Sequence, residues 1–454
     1  MVGGTDLVGD AYDGTPAHPP VPDANPMDCD THGTHVASTA AGRGVTSSGA
    51  TYAGPWTSGT DLSTMTVAPG VAPEADLYAV KVFGCGDGGT AVVAQALEWA
   101  ADPDHDGDFT DKMDVVNLSL GSDFASPDDP DAVAANQAAA AGTVVVAAAG
   151  NTGDLHDAVS SPASASRVIA VAASDDGSGV AGGVRSVRTD AVDDIATFSA
   201  RGFGTAGEVK PDVAAPGVTI SAANSRSGTG ARTMSGTSMA SPQVAGAAAV
   251  VRGLHPDWDV ERVKAALMNT AATVTGRGDP ALPVAAVRAG AGRVQVDAAA
   301  RTTTLATADA VAGSPGAVGV SFGDLPVSAD TVLTRTVTVR NLSGAARSLR
   351  AVDAGARAAA GVRRVVLGAR RLGRLDRRRA GRRQRHRAGA GAGRPLGPAA
   401  HRRPGARRHR WCDLHRGVDA AWCSPTPPTR PTPSRCRSTP HRTRWPPCAR
   451  RPPR

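Results

Sequence analysis

Ser238 stands in the stretch GTSMASPQVAG, residues 236–246, just ahead of the apolar run Val244–Val251. A serine hydroxyl is a weak nucleophile near neutral pH. It needs a base to take its proton and donors to hold the oxyanion that forms on the attacked carbonyl. The pattern predicts a helix over 239–251, so Ser238 falls at its start, beside free backbone N–H groups and the positive end of the helix dipole. Pro242 is then expected in the first turn, where a missing N–H costs little. Gly236 and Ala240 leave room for a substrate backbone. The same stretch is also a good N-cap with no chemistry attached.

Two other segments supply what such a serine lacks. DTHGTHVASTAAG, residues 30–42, carries His32 and His35 three residues apart, on one helical face. This spacing, with no Glu between the two His, does not fit the zinc-binding helix of a metalloprotease. VVVAAAGN, residues 144–151, is an apolar run that ends in Gly-Asn. A side-chain amide at the C-terminal edge of a strand, here Asn151, is well placed to donate to an oxyanion. Gly-Asn is equally at home in an ordinary turn.

In that order, HGTHVA, AAAGN and GTSMASP resemble the subtilisin-like serine proteases, the peptidase S8 family. GVAPEADLYAVKVF, VVNLSLGS and KPDVAAPGV also look like family segments, and the resemblance covers about residues 1–300. It implies a serine endopeptidase with His32 as general base, Ser238 as nucleophile and Asn151 as oxyanion donor, and with His35 structural. Ser119, Leu120 and Gly121 would form the edge that pairs with extended substrate backbone. Protein or peptide substrates, an extracellular location and no cofactor for the chemistry are implied as well. Gln243 stands where family members usually have His, off the chemistry.

The third triad member is a departure. The family orders its triad Asp, His, Ser, with the Asp ending the first strand in a segment reading roughly V-A-V-I-D-T-G. No such segment precedes His32. Asp6, Asp10 and Asp13 lie in GGTDLVGDAYDG, which looks like the stretch after that strand. The expectation is a peptidase domain, residues 1–300, that lacks its first strand, and no triad acid is assigned. The rival order, with the acid between His and Ser, lacks a GDSGG-like segment around Ser238. A catalytically dead remnant, or a binding module of a damaged gene, is the alternative from another class.

DPDHDGDFTD, residues 102–111, sets alternate carboxylates around Gly107. Asp104, Asp106 and Asp108 are candidate ligands of a structural calcium, although the bidentate Glu of an EF-hand is missing and position twelve is Met113. A solvated acidic loop is the plainer reading. Cys29 and Cys85 are the two cysteines of the acidic body, and either a disulfide or two inert thiols fits them.

The elements that must position these residues alternate along the chain. DLYAVKVF (76–83), DVVNLSL (114–120), TVVVAAAG (143–150) and RVIAVAAS (167–174) read as buried strands. TAVVAQALEWAA (90–101) and DAVAANQAAAAG (131–142) read as helices. Continuous apolar strands separated by helices predict an α/β fold, a doubly wound and mostly parallel sheet covered on both faces. Residues 301–356 change texture: TVLTRTVTVRN (331–341) alternates with period two and predicts the start of a β-sandwich-like module.

The charge is divided along the chain. Residues 1–356 hold 21 Lys and Arg against 39 Asp and Glu, and residues 357–454 hold 28 against 3. The formal net charge of +7 is therefore not that of one basic protein seeking nucleic acid. Residues 357–454 contain no Ile, Lys, Asn, Tyr, Phe or Met, the composition of a GC-rich gene read out of frame, so a frameshift near residue 355 is expected. The rival is a disordered basic tail that binds polyanions non-specifically. No run of apolar residues is long enough for a membrane helix, and no signal peptide opens the chain as given.

Overall fold

The computed structural model describes residues 1–348, except 87, 127, 182–183, 188–192, 277–282, 310–313 and 324–331. The basic tail at 357–454, with the frameshift and polyanion readings attached to it, lies outside the described residues.

The centre is a parallel sheet. Strands Val115–Leu118 (β3), Val144–Ala148 (β4) and Ile169–Asp175 (β5) lie side by side in parallel. Beyond β5 come Asp194–Ile195 (β6), antiparallel, and Val213–Pro216 (β7), parallel. Every residue of β4 and β5 is buried, so both faces of those strands are covered. A separate parallel pair joins Gly3–Asp6 (β1) to Tyr78–Lys81 (β2). Among the described residues, β2 pairs with β1 alone and β3 with β4 alone. The hairpin Ile220–Ala223 (β8) and Ala231–Met234 (β9) follows β7.

Helices cover this sheet. Val93–Ala101 (α2) and Pro130–Ala140 (α3) pack together, with α3 against β4. Asp129 caps α3 by accepting from the amides of Asp131 and Ala132. Thr237–Leu254 (α4) lies on β3, β4, β5 and β7 and packs against His32–Ala41 (α1). Small residues make this close approach possible: Ala240, Ala245, Ala247 and Ala248 of α4 are all buried. Val260–Asn269 (α5) follows, capped by Asp259.

After residue 300, Thr304–Ala308 (β10) pairs antiparallel with Val337–Asn341 (β11). Leu305 and Val318 belong to the same apolar core as α5 rather than to a core of their own. Among the described residues, no helix is long and apolar enough to cross a membrane.

Candidate active site

Helix α4 begins at Thr237 with Gly236 as its N-cap residue, two positions earlier than the sequence pattern predicts. The reason is tertiary. Oδ1 of Asn151, from the end of β4, accepts from both the backbone N–H and the hydroxyl of Thr237, each at 3.0 Å. A cap supplied from another strand extends the helix by these residues. Ser238 therefore lies inside the first turn, and Pro242 is the sixth helical residue, not a first-turn residue as expected.

That position of Pro242 has a consequence. Its missing N–H is the one that would have bonded the carbonyl of Ser238, four residues earlier. Ser119 fills the role: its Oγ donates to the Ser238 carbonyl at 2.8 Å. Asn117 Nδ2 donates to Ser119 Oγ, and Ser241 Oγ donates to Asn117 Oδ1. A chain of side chains thus ties the edge after β3 to the first turns of α4. In return, the Ser238 hydroxyl donates to the Ser119 carbonyl at 3.3 Å.

Asn151 is held by one end only. With Oδ1 on Thr237, the amide orientation is fixed, and among the described residues Nδ2 makes no hydrogen bond. Gly150 sets the turn that aims it. Its φ of 107° lies in the left-handed half of the map, and a Cβ there would sit 2.2 Å from Ser160 Oγ.

His32 opens α1, and Thr31 before it has φ 94°, an uncommon conformation for a β-branched residue. The Thr31 hydroxyl is fixed by Asn224 Oδ1 and Ser225 Oγ, next to the β8–β9 hairpin. His35 is fully buried, and its Nε2 lies 3.0 Å from the carbonyl of Ile220 in β8. Burial holds the His32 pKa below its ordinary value of 6.5, opposed by the charges of Asp30 and Asp28. Among the described residues, neither ring nitrogen of His32 makes a hydrogen bond.

The three early aspartates are engaged elsewhere. Asp6 is 1% exposed at the end of β1. Its Oδ1 accepts from the amides of Val8 and Gly9, and its Oδ2 from Lys81 Nζ at 2.9 Å. Burial alone would raise its pKa, but Lys81 and the two amides outweigh that and hold it low. Asp10 also pairs with Lys81, and Asp13 bonds Thr15 and His18.

Ser238 and Asn151 share one cleft of about 390 Å³, with Leu120 and Gly121 on its wall. Gly121 allows close approach there, since a Cβ would meet the Ser161 carbonyl at 2.5 Å. Just beyond it, Ser122 and Ser161 exchange backbone hydrogen bonds and hold the wall in place.

Residues 9–304 match the Subtilase family, peptidase S8. The chain belongs to the subtilase family. It is 36% identical over 261 residues to serine protease AprX of Bacillus subtilis, which spans 54% of this chain and 53% of that protein. It is 36% identical over 244 residues to subtilisin Savinase of Lederbergia lenta, 54% of this chain and 71% of that protein. It is 39% identical over 203 residues to alkaline elastase YaB of a Bacillus species, 44% of each chain. The chain spans about half the length of the first curated relatives it matches. Among solved structures, sphericase is 25% identical with a TM-score of 0.48, covering 65% of this chain and 94% of that one.

In this subtilase the acidic loop differs in detail from the expectation. Carboxylate oxygens of Asp102, Asp104 and Asp106 come within 4.8 Å of one another. Asp108 is not among them; its Oδ1 is taken by the amide and hydroxyl of Thr110. Asp102 instead joins the group, and both of its oxygens accept loop amides. The Asp106 amide lowers the Asp104 pKa, but desolvation and the carboxylates of Asp106, Asp111 and Asp102 outweigh it, and the net shift is upward. Cys29 and Cys85 form a disulfide across 56 residues of sequence. Closing a loop of that length is worth about 4 kcal/mol in chain entropy.

Sequence reasoning missed Asp28. Its Oδ1 accepts from the amides of Asp30 and Thr31, and its Oδ2 from that of Thr34 at 2.7 Å. It therefore caps the helix that begins with His32. The signal was present, since Asp is a favoured capping residue a few positions before a helix.

Proposed function

We propose that this subtilase is a serine endopeptidase acting on proteins or peptides. Ser238 attacks the scissile carbonyl, and His32 takes its proton and returns it to the leaving amine. Nδ2 of Asn151 donates to the oxyanion. The backbone of Ser119, Leu120 and Gly121 pairs with extended substrate. The observation that carries this reading is the fixed amide of Asn151, bonded through Oδ1 to Thr237, with its donor end free in the cleft that Ser238 lines. The disulfide suits an oxidising, extracellular setting. A structural calcium at Asp102, Asp104 and Asp106 would be non-catalytic in this reading, and no step is routed through it.

One observation favours a second reading, a non-catalytic chain. The Ser238 hydroxyl is turned to Ser119, and Asp6, Asp10 and Asp13 are all committed away from His32. A fluorophosphonate probe separates the two. The endopeptidase reading expects labelling of Ser238, lost in Ser238→Ala and strongly slowed in His32→Ala. A folded chain that stays unlabelled, with no peptide hydrolysis, would establish the non-catalytic reading instead.

A further inference from the structure

Among the described residues, ten line the cleft that holds Ser238, and one of these carries a charge: Asp123. No Lys, Arg or His is among them, and among the described residues Asp123 makes no ion pair. Asp123 sits just past the Ser122–Ser161 bridge, on wall backbone that is hydrogen-bonded in both directions. One of its oxygens faces Ser160 Oγ at 3.5 Å, and Ser160 is itself 2% exposed. Among the described residues the other oxygen makes no hydrogen bond. Asp123 is exposed, so its carboxylate meets both solvent and the cleft, with the buried Ser160 hydroxyl at the limit of hydrogen-bond distance on one side.

We propose that Asp123 sets the specificity of this cleft, selecting a peptide residue with a long cationic side chain, Lys or Arg, next to the scissile bond. The proposal rests on the endopeptidase reading for the role of the cleft, but its recognition chemistry does not require turnover. A volume of about 390 Å³ admits such a side chain. Leu120 and Ala148 offer apolar surface to its methylene stem while the charged head reaches Asp123. A guanidinium can take a carboxylate oxygen and leave the Ser160 contact intact. An acidic side chain would face an unneutralised carboxylate and be excluded, which is selection by repulsion as well as attraction.

Benzamidine, a small planar cation, is the probe. Its binding is measured by calorimetry on the full chain and on Asp123→Asn, Asp123→Glu and Asp123→Lys. The expected result is saturable binding to the parent, weakened about two- to fivefold in Asp123→Asn, largely restored in Asp123→Glu and abolished in Asp123→Lys. Benzyl alcohol, which lacks the charge, should not distinguish the parent from Asp123→Asn. No binding to the parent, or equal affinity for parent and Asp123→Asn, overturns the proposal. Fluorophosphonate labelling of the same samples reports separately on Ser238. A chain that labels but ignores benzamidine refutes the specificity claim alone, and one that binds benzamidine but does not label refutes the catalytic reading alone.

Discussion

In the proposed mechanism Asn151 does two jobs with the two ends of one amide, and they can be separated. Oδ1 caps α4 through Thr237, and Nδ2 is free for an oxyanion. Asn151→Ala removes both, so it should cost about 1 kcal/mol of stability through the lost cap. It should also lower kcat by about 10²–10³, the loss subtilisin itself shows when such a donor is removed, with KM close to the parent value. Asn151→Asp keeps an acceptor for Thr237 but has no N–H, so it should retain stability and still lose turnover. A raised KM with unchanged kcat in either variant would make Asn151 a uniform binder and end the oxyanion assignment. The family was legible in the sequence, because HGTHVA, AAAGN and GTSMASP resemble its motifs and residues 9–304 match it. The tie between Asn151 and Thr237 was not, because it joins residues 86 apart and local pattern holds no trace of it. The link from Ser119 to the carbonyl freed by Pro242 spans 119 residues and was hidden for the same reason.

At the scale of elements, the strands were readable, since each apolar run at 76–83, 114–120, 143–150 and 167–174 overlaps an observed strand, but Tyr78–Lys81 is not the buried strand expected: it pairs with β1 alone, and Tyr78 is 44% exposed. The runs at 143–150 and 167–174 signal themselves because both faces of an inner parallel strand meet apolar neighbours. Helix starts were less readable, since a cap can come from elsewhere in the fold, as at α4, or from a loop aspartate, as at α1. Asp28 is the test case. Its burial would raise its pKa, but bonds from Thr34, Asp30 and Thr31 outweigh that and hold it below the ordinary 3.8. Its contribution to stability is therefore present above about pH 4 and is lost as pH falls through the lower folded value. Asp28→Asn keeps one acceptor oxygen but loses the second, which accepts from the Thr34 amide, and should loosen the start of α1 by about 1 kcal/mol. It should also remove a charge that now raises the His32 pKa against the depressing effect of burial. Proton NMR titration in a Ser238→Ala background checks this. His32 in the parent should titrate below 6.5, and in Asp28→Asn lower still. An unchanged or higher value would mean that the Asp28 charge does not reach the ring.

The whole molecule is closed by a charge cluster that no sequence pattern announced. Lys210, Asp212 and Lys264 lie in the interior, at 0%, 5% and 1% exposure. Lys210 Nζ donates to the carbonyls of Ala165 and Val168 and to Asp212 Oδ2, and Lys264 Nζ to the carbonyls of Ser166 and Val168, with Asp212 Oδ1 at 2.9 Å. The amide of Ala170 donates to Asp212 as well. The cluster joins the loop before β5, the segment before β7, and α5, so it pins the sheet to the helix layer. Its hydrogen bonds are satisfied, but its charges are not balanced: two ammonium groups share one carboxylate, and Glu208 adds a weaker attraction. Burial first, and then repulsion from Lys210, outweigh the pull of Asp212 and lower the Lys264 pKa from 10.5 to about 8. Between those two values the unfolded chain holds the Lys264 proton and the folded chain releases it. Stability from this group therefore rises with pH across that window, and below about pH 8 the group is charged in both states and the gain is absent. The full rise is roughly 3 kcal/mol. Lys264→Met removes the titration, although it leaves the Ser166 carbonyl without its donor and should cost stability at neutral pH. Urea unfolding of parent and variant, both carrying Ser238→Ala against self-digestion, isolates the effect. The stability of the parent relative to Lys264→Met should grow between about pH 7 and about pH 11. A constant or shrinking difference would mean that Lys264 keeps its proton inside the fold, with the excess positive charge balanced by Glu208.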